Sequence, residues 1–135
     1  MEHRIFETSF ASVYPHYVTK VERKGHSREE LDFLIMWLTG FSMEELDHHK
    51  SADTTFRELF DAANLNQNAA RITGVICGVR VEEIEDPLMQ KIRYLDKIVD
   101  ELASGKPMAK IMRTPVEPTT PQRDPARPMT GMQNP

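Results

Sequence analysis

The pattern Ser/Thr-x-x-Glu occurs three times between residues 27 and 58: Ser27 with Glu30, Ser42 with Glu45, and Thr55 with Glu58. The hydroxyl at the first position caps one unpaired backbone N–H, and the Glu reaches back to another, so two orphan donors are satisfied at once. Apolar residues at helical spacing follow each pattern. A fourth start is Asp86-Pro87, an N-capping residue followed by the imino acid best tolerated at the first helical position. Gly25, Gly40 and Gly105 stand where helices stop. A chain punctuated in this way is committed to several short helices of unequal length. The expected fold class is all-α: an irregular, orthogonal multi-helical single domain rather than a regular bundle.

Seven helical pieces are expected. The first covers about residues 12–24, with Pro15 in its first turn and Val13, Tyr17, Val18 and Val21 on one face. The second covers residues 28–39. Leu31, Leu34, Ile35 and Leu38 form its stripe, and Phe33, Met36 and Trp37 make the other side apolar too. A helix apolar nearly all round is either central or offers a second face to a partner. Shorter helices are expected at residues 43–50 and 56–63. A long one covers residues 87–104, with a seam-like stripe of Leu88, Ile92, Leu95, Val99 and Leu102. A final turn is expected at residues 107–113.

The segment 69–85 is ambiguous. Ile72, Val75, Ile76 and Val79 recur at helical spacing, yet β-branched residues beside Gly74 and Gly78 also suit a short strand. The spacing favours a helix to about Gly78 and then an extended turn. In that helix, Gly74 and Gly78 would form a smooth stripe for close approach of another backbone.

The chain has 135 residues, 39% of them apolar, which is enough for one core. Six of the nine prolines fall in residues 114–135, a segment with few apolar residues and balanced charge. Such a composition cannot offset its ordering entropy, so a helical domain is expected over residues 1–113 and a disordered Pro-rich tail over residues 114–135. The formal charge of −4 and the lack of a basic stripe argue against nucleic-acid binding. The longest apolar run, residues 33–38, is far short of the ~20 residues a membrane helix needs, so no membrane association is expected. One cysteine, Cys77, and an N-terminus without an apolar leader-like run point to a reducing cytoplasm.

Chemistry is sparse. Glu82, Glu83, Glu85 and Asp86 form the densest acidic run. Paired carboxylates can share acid and base roles, but here Asp86 serves equally as a helix cap with its neighbours beside a positive helix terminus. Arg71, Arg80 and Arg93 could neutralise this run or hold an anionic ligand. The candidate ligand-binding set is therefore Arg80, Glu82, Glu83, Asp86, Arg93 and Tyr94, with no catalytic residue assigned. Asp47-His48-His49 reads as a solvated helix end, because adjacent helical residues point about 100° apart, and no metal site is expected. Cys77 reads as a small apolar residue without a visible activating His. Tyr14, Tyr17 and Tyr94 fit either an aromatic pocket or a core with hydrogen-bonded hydroxyls. No phosphate loop or nucleophile elbow occurs, and no cofactor is expected.

Three stretches carry a resemblance. They are the opening from His3 to Pro15, the turn Trp37-Leu38-Thr39-Gly40-Phe41-Ser42, and the run from Ile72 to Lys97. That last run includes Ile72-Thr73-Gly74-Val75-Ile76-Cys77-Gly78 and Lys91-Ile92-Arg93-Tyr94-Leu95-Asp96-Lys97. Together they resemble the bacterial domain-of-unknown-function family 2200 over about residues 2–113. The resemblance implies a small cytosolic helical protein and no particular activity or site residue.

Three functions remain open. The leading expectation is a non-enzymatic interaction module that self-associates, on the strength of the second helix and the seam at residues 88–102. The alternative is a small enzyme or ligand-binding protein with a polar site at residues 80–86. The third is a helix-turn-helix-like regulator using residues 72–96.

Overall fold

The reciprocal caps form at all three predicted positions in the computed structural model, which describes residues 4–113. Glu30 N donates to Ser27 Oγ at 3.1 Å while Ser27 N donates to Glu30 Oε1 at 2.9 Å. The same pairs close at 3.1 and 2.8 Å for Ser42 and Glu45, and at 3.1 and 3.0 Å for Thr55 and Glu58. They open helices α2 (Arg28–Thr39), α3 (Met43–Ser51) and α4 (Phe56–Ala62). Asp86 accepts from Met89 N at 3.0 Å and opens α5 (Pro87–Ala103). A short α6 (Met108–Ile111) follows.

The first helix, α1 (Phe10–Arg23), begins two residues before the predicted start because Ser9, not a later residue, is the cap. Pro15 consequently lies inside the helix rather than in its first turn. It has no N–H to offer the carbonyl of Ala11, a local cost that the surrounding packing carries.

The predicted helix over residues 69–78 does not form. A 3-10 turn, Gln67–Arg71, is capped by Asn66 and stops, and a two-stranded antiparallel hairpin takes its place. Strand β1 (Val75–Ile76) pairs with β2 (Val79–Arg80), with Val75 opposite Arg80 and Ile76 opposite Val79. The two turn residues, Cys77 and Gly78, have φ of 53° and 80°. Positive φ at both positions is the turn whose twist matches a hairpin. The expected small-residue stripe is absent too: Gly78 sits at the turn, and Gly74 faces the end of the Lys97 side chain. A 3-10 turn, Val81–Glu83, leads from the hairpin into α5. Residues 72–96 therefore run hairpin, turn, helix, and the helix-turn-helix order is not made. The predicted Pro-rich tail lies outside the described residues.

Helix α5 is the hub. It packs on α1, α2, α4, α6, β1 and the Val81–Glu83 turn. Of the predicted seam, Ile92, Leu95, Val99 and Leu102 are at most 2% exposed, as is Ile98 beside them, while Leu88 at its start is half-buried against the same core, so the seam is spent mainly on the chain's own core. Leu31, Leu34, Ile35 and Leu38 of α2 are fully buried beside it. At the other end, Phe10 and Phe56 meet edge to face at 6.1 Å, under a short backbone bridge between Ser9 and Thr55. Each of these large side chains contributes on the order of 2–5 kcal/mol by the cost of truncating it.

Candidate functional site

Of the six predicted site residues, Arg80, Glu82, Glu83 and Asp86 fall in or just after the hairpin, and Arg93 and Tyr94 lie about two turns into α5. Glu82 lies in the turn leaving β2. Its Oε1 accepts from Gly74 N at 2.9 Å and its Oε2 from Arg80 Nη1 at 3.2 Å. The bond from Gly74, with Glu82's own backbone N–H, holds this carboxyl below its ordinary pKa. Glu82 thus staples the entrance of the hairpin to its exit, a job the acidic run alone does not reveal. Asp86 is occupied as the α5 cap.

Arg93 joins the hairpin tip to the helices. Its Nη1 donates to Asp96 Oδ2 at 2.6 Å and lies 3.4 Å from Cys77 Sγ. Asp96 Oδ1 in turn accepts from the Tyr17 hydroxyl at 2.8 Å. The chain Tyr17–Asp96–Arg93–Cys77 therefore runs from α1 through α5 to the turn of the hairpin. Lys97 Nζ adds a bond to the carbonyl of Val75 at 3.2 Å. Tyr94 is not brought to this group: it is 7% exposed in the core, and burial raises its phenol's pKa. Arg80 and Glu83 alone of the predicted six line a depression of about 520 Å³, together with Gly78, Val79 and Ile84.

Sequence reasoning missed Asp96 and Lys97 and left Tyr17 open between a pocket and the core. Asp96 stands three residues from Arg93, a helical neighbour spacing that signals the pair. Nothing local signals Tyr17, which meets Asp96 across the fold.

Of the segments that carried the resemblance, the run from Ile72 to Lys97 holds every residue of this arrangement except Tyr17. Residues 4–113 match the family described as an uncharacterized protein conserved in bacteria (DUF2200). The chain belongs to this family. It is similar also to the crystal structure of uncharacterized protein SP1917, with a TM-score of 0.77 and 41% identity over 84% of this chain and 93% of that one. No curated protein matches it.

Two further features of this DUF2200 chain bear on function. Among the described residues no helix is long and apolar enough to cross a membrane, and no group of three His, Cys, Asp or Glu side chains is close enough to hold a metal ion. In the Asp47-His48-His49 stretch, His49 packs on Phe41 at 4.8 Å and its Nδ1 lies 2.9 Å from Thr54 Oγ1. Burial, then the neighbouring His48, lowers its pKa. The outer side of α2 is different in kind. Phe33 is 49% exposed, and Met36 and Trp37, its neighbours one turn on, are half-buried.

Proposed function

We propose that this DUF2200 protein is an interaction module that pairs with a second copy through the outer face of α2. The observation that carries the reading is the exposure of Phe33 beside Met36 and Trp37. Most of the α5 seam is enclosed in the core, so of the two apolar surfaces read from the sequence the α2 face is the one left open. Aromatic residues and methionine are the types enriched at protein contacts. An apolar patch is also self-complementary, since the same residues serve both sides of a two-fold contact. The candidate ligand residues, by contrast, are mostly engaged in holding the hairpin and capping α5. A reducing cytoplasm suits the single exposed thiol of Cys77.

Sedimentation equilibrium of the full chain tests this reading. A dimer that dissociates on dilution, and that Phe33→Glu converts to monomer with an unchanged circular dichroism melt, is the expected result. A monomer persisting at about tens of micromolar removes the proposal. So does a dimer indifferent to Phe33→Glu.

A second reading rests on the depression beside the hairpin, where Arg80 and Glu83 present opposite charges to a small polar ligand. Native mass spectrometry of protein from its own host would show a retained ligand as added mass, lost on Arg80→Ala.

A further inference from the structure

Helix α3 is held down by little apolar surface: of its nine residues only Leu46 is buried. The rest of its attachment is polar and lies in its last turn. Lys50 Nζ takes Asp32 Oδ2 of α2 at 2.7 Å and stands 4.8 Å from the centre of the Tyr14 ring of α1. The half-buried ring of His49 packs on Phe41, with 4.8 Å between centroids, and its Nδ1 shares a hydrogen bond of 2.9 Å with Thr54 Oγ1. These contacts hold more than α3. Phe41 is buried in the turn between α2 and α3. The carbonyl of Thr54 accepts from Phe10 N at 2.8 Å, and Phe56 N donates to Thr8 O at 3.0 Å, on either side of the bridge between Ser9 and Thr55. His49 therefore joins three segments: the α2–α3 turn, the end of α3, and the 52–55 turn that ties α4 to the start of α1.

The titratable groups of α1 and α2 that reach α3, Tyr14 and Asp32, are bound to each other and to Lys50. Phe41 and Thr54 bring no charge to the imidazole, and Asp53 beside Thr54 is exposed. The charges that act on His49 come from α3 itself: His48, its ring edge-on at 5.2 Å, and Glu45 one turn earlier. Burial first, and then His48, disfavour the imidazolium, and Glu45 does not offset them.

We propose that His49 is an acid-operated release, whose protonation frees α3 and the 52–55 turn from Phe41 and from the bridge to α1 while the core around α5 stays folded. A neutral ring tolerates burial against Phe41, whereas a charged one is stabilised by water. The helix that carries it has one apolar anchor, so it opens at lower cost than the helices of the core. A released His49 takes its proton near the ordinary value of 6.5, and the packed one only at lower pH. The closed form is therefore fully favoured above about pH 6.5 and loses ground as pH falls below it. Opening uncovers Phe41 and Leu46, which the closed form keeps from solvent. The device does not depend on pairing through α2.

Amide hydrogen exchange of the full chain, followed by NMR at about pH 7.5 and about pH 5.5 and corrected for the intrinsic exchange rate, provides the test. Protection of residues 43–56 should fall about tenfold on acidification, the equivalent of one pKa unit of preference for the released form. The amides of α5 should keep theirs. His49→Gln still offers Thr54 a partner but cannot be protonated, so protection in that variant should no longer respond to pH. His48→Gln, at an exposed position, removes the repulsion and should make the fall smaller. Protection that is constant across this range overturns the proposal, as does a loss spread evenly over α5. A full fall retained in His49→Gln assigns the effect to another group and overturns it too. An imidazole of His49 that titrates at about 6.5 or above in the unsubstituted chain overturns it whether or not His49→Gln folds.

Discussion

Tyr14, Tyr17 and Tyr94 are each at most 8% exposed, yet they solve the burial of a hydroxyl differently. The Tyr14 hydroxyl donates to Asp32 Oδ1 at 2.6 Å, and Lys50 Nζ holds the other oxygen of Asp32 at 2.7 Å. Burial first, and then the bond to Asp32, push the Tyr14 phenol up from 10.0 to about 12. Tyr17 is raised well above its ordinary value by burial and by Asp96, and Tyr94 is raised by burial alone. All three favour the neutral phenol in the folded state. An unfolded phenol ionises near 10, so above that pH the unfolded chain releases protons that the folded one keeps. The stability these groups contribute is complete below about pH 10 and is lost as pH climbs beyond it, for Tyr14 through about 12. In an alkaline titration, phenolate absorbance should therefore rise only together with loss of helical circular dichroism. A phenol ionising at its ordinary value while the helices persist would contradict the burial described here. The sequence left these tyrosines open between pocket and core, because the partners of Tyr14 and Tyr17, Asp32 and Asp96, come from other elements and no local spacing announces them.

Among the elements, the helices with caps were legible and the hairpin was not. A capping box is a short-range device, complete within four residues, so Ser27, Ser42 and Thr55 state their structure on their own. Residues 72–79 hold apolar side chains at spacings shared by a helix and a tight hairpin, and each strand is two residues long. The usual turn signal, Asn-Gly, is replaced by Cys77-Gly78, with Cys77 in the left-handed region at φ 53°. Backbone demand distinguishes two glycines of these elements. A methyl group added at Gly78 meets nothing within 4 Å, so Gly78→Ala carries only the cost of positive φ, about 1–2 kcal/mol. Gly40 closes α2 at φ 76°, and a methyl group there would approach the carbonyl oxygen of Asn64 to 2.7 Å. The loop it would strike is tied down by Asn64 N to Thr39 O at 2.8 Å and Asn66 N to Leu38 O at 2.9 Å. Gly40→Ala should accordingly destabilise by clearly more than Gly78→Ala, by roughly 3 kcal/mol or above. Urea unfolding of the two variants measures the difference, and equal losses would mean that the 64–66 loop gives way freely.

At the scale of the molecule, the sequence placed the core correctly but misjudged its appetite, since the α5 seam assigned to a partner is consumed by α1, α2 and α6. The candidate site was legible as a neighbourhood and not as a set. Arg80 and Glu83 share a depression, while Glu82 and Asp86 are structural and Tyr94 is interior. The same economy governs the C-terminal end of the described chain. Ile111 of α6 is fully buried, and Glu101, at 3% exposure, gathers both guanidinium nitrogens of Arg113, Lys106 Nζ at 3.0 Å and Lys97 Nζ at 3.9 Å. A chain ended after Gly105 loses Ile111, Lys106 and Arg113 together, and leaves a buried carboxylate facing Lys97 alone. Relative to a chain ended after Arg113, it should be less stable by about 4 kcal/mol or more, from lost packing and the orphaned charge combined. Glu101→Gln separates the two causes because its effect should change sign. In the chain that keeps Arg113, it removes the anion from a set of three cations and destabilises. In the chain ended after Gly105, it removes a charge that has lost most of its partners and restores about 1–2 kcal/mol. If the substitution acts in the same direction in both chains, α6 holds the fold through Ile111 and the ion cluster contributes nothing of its own.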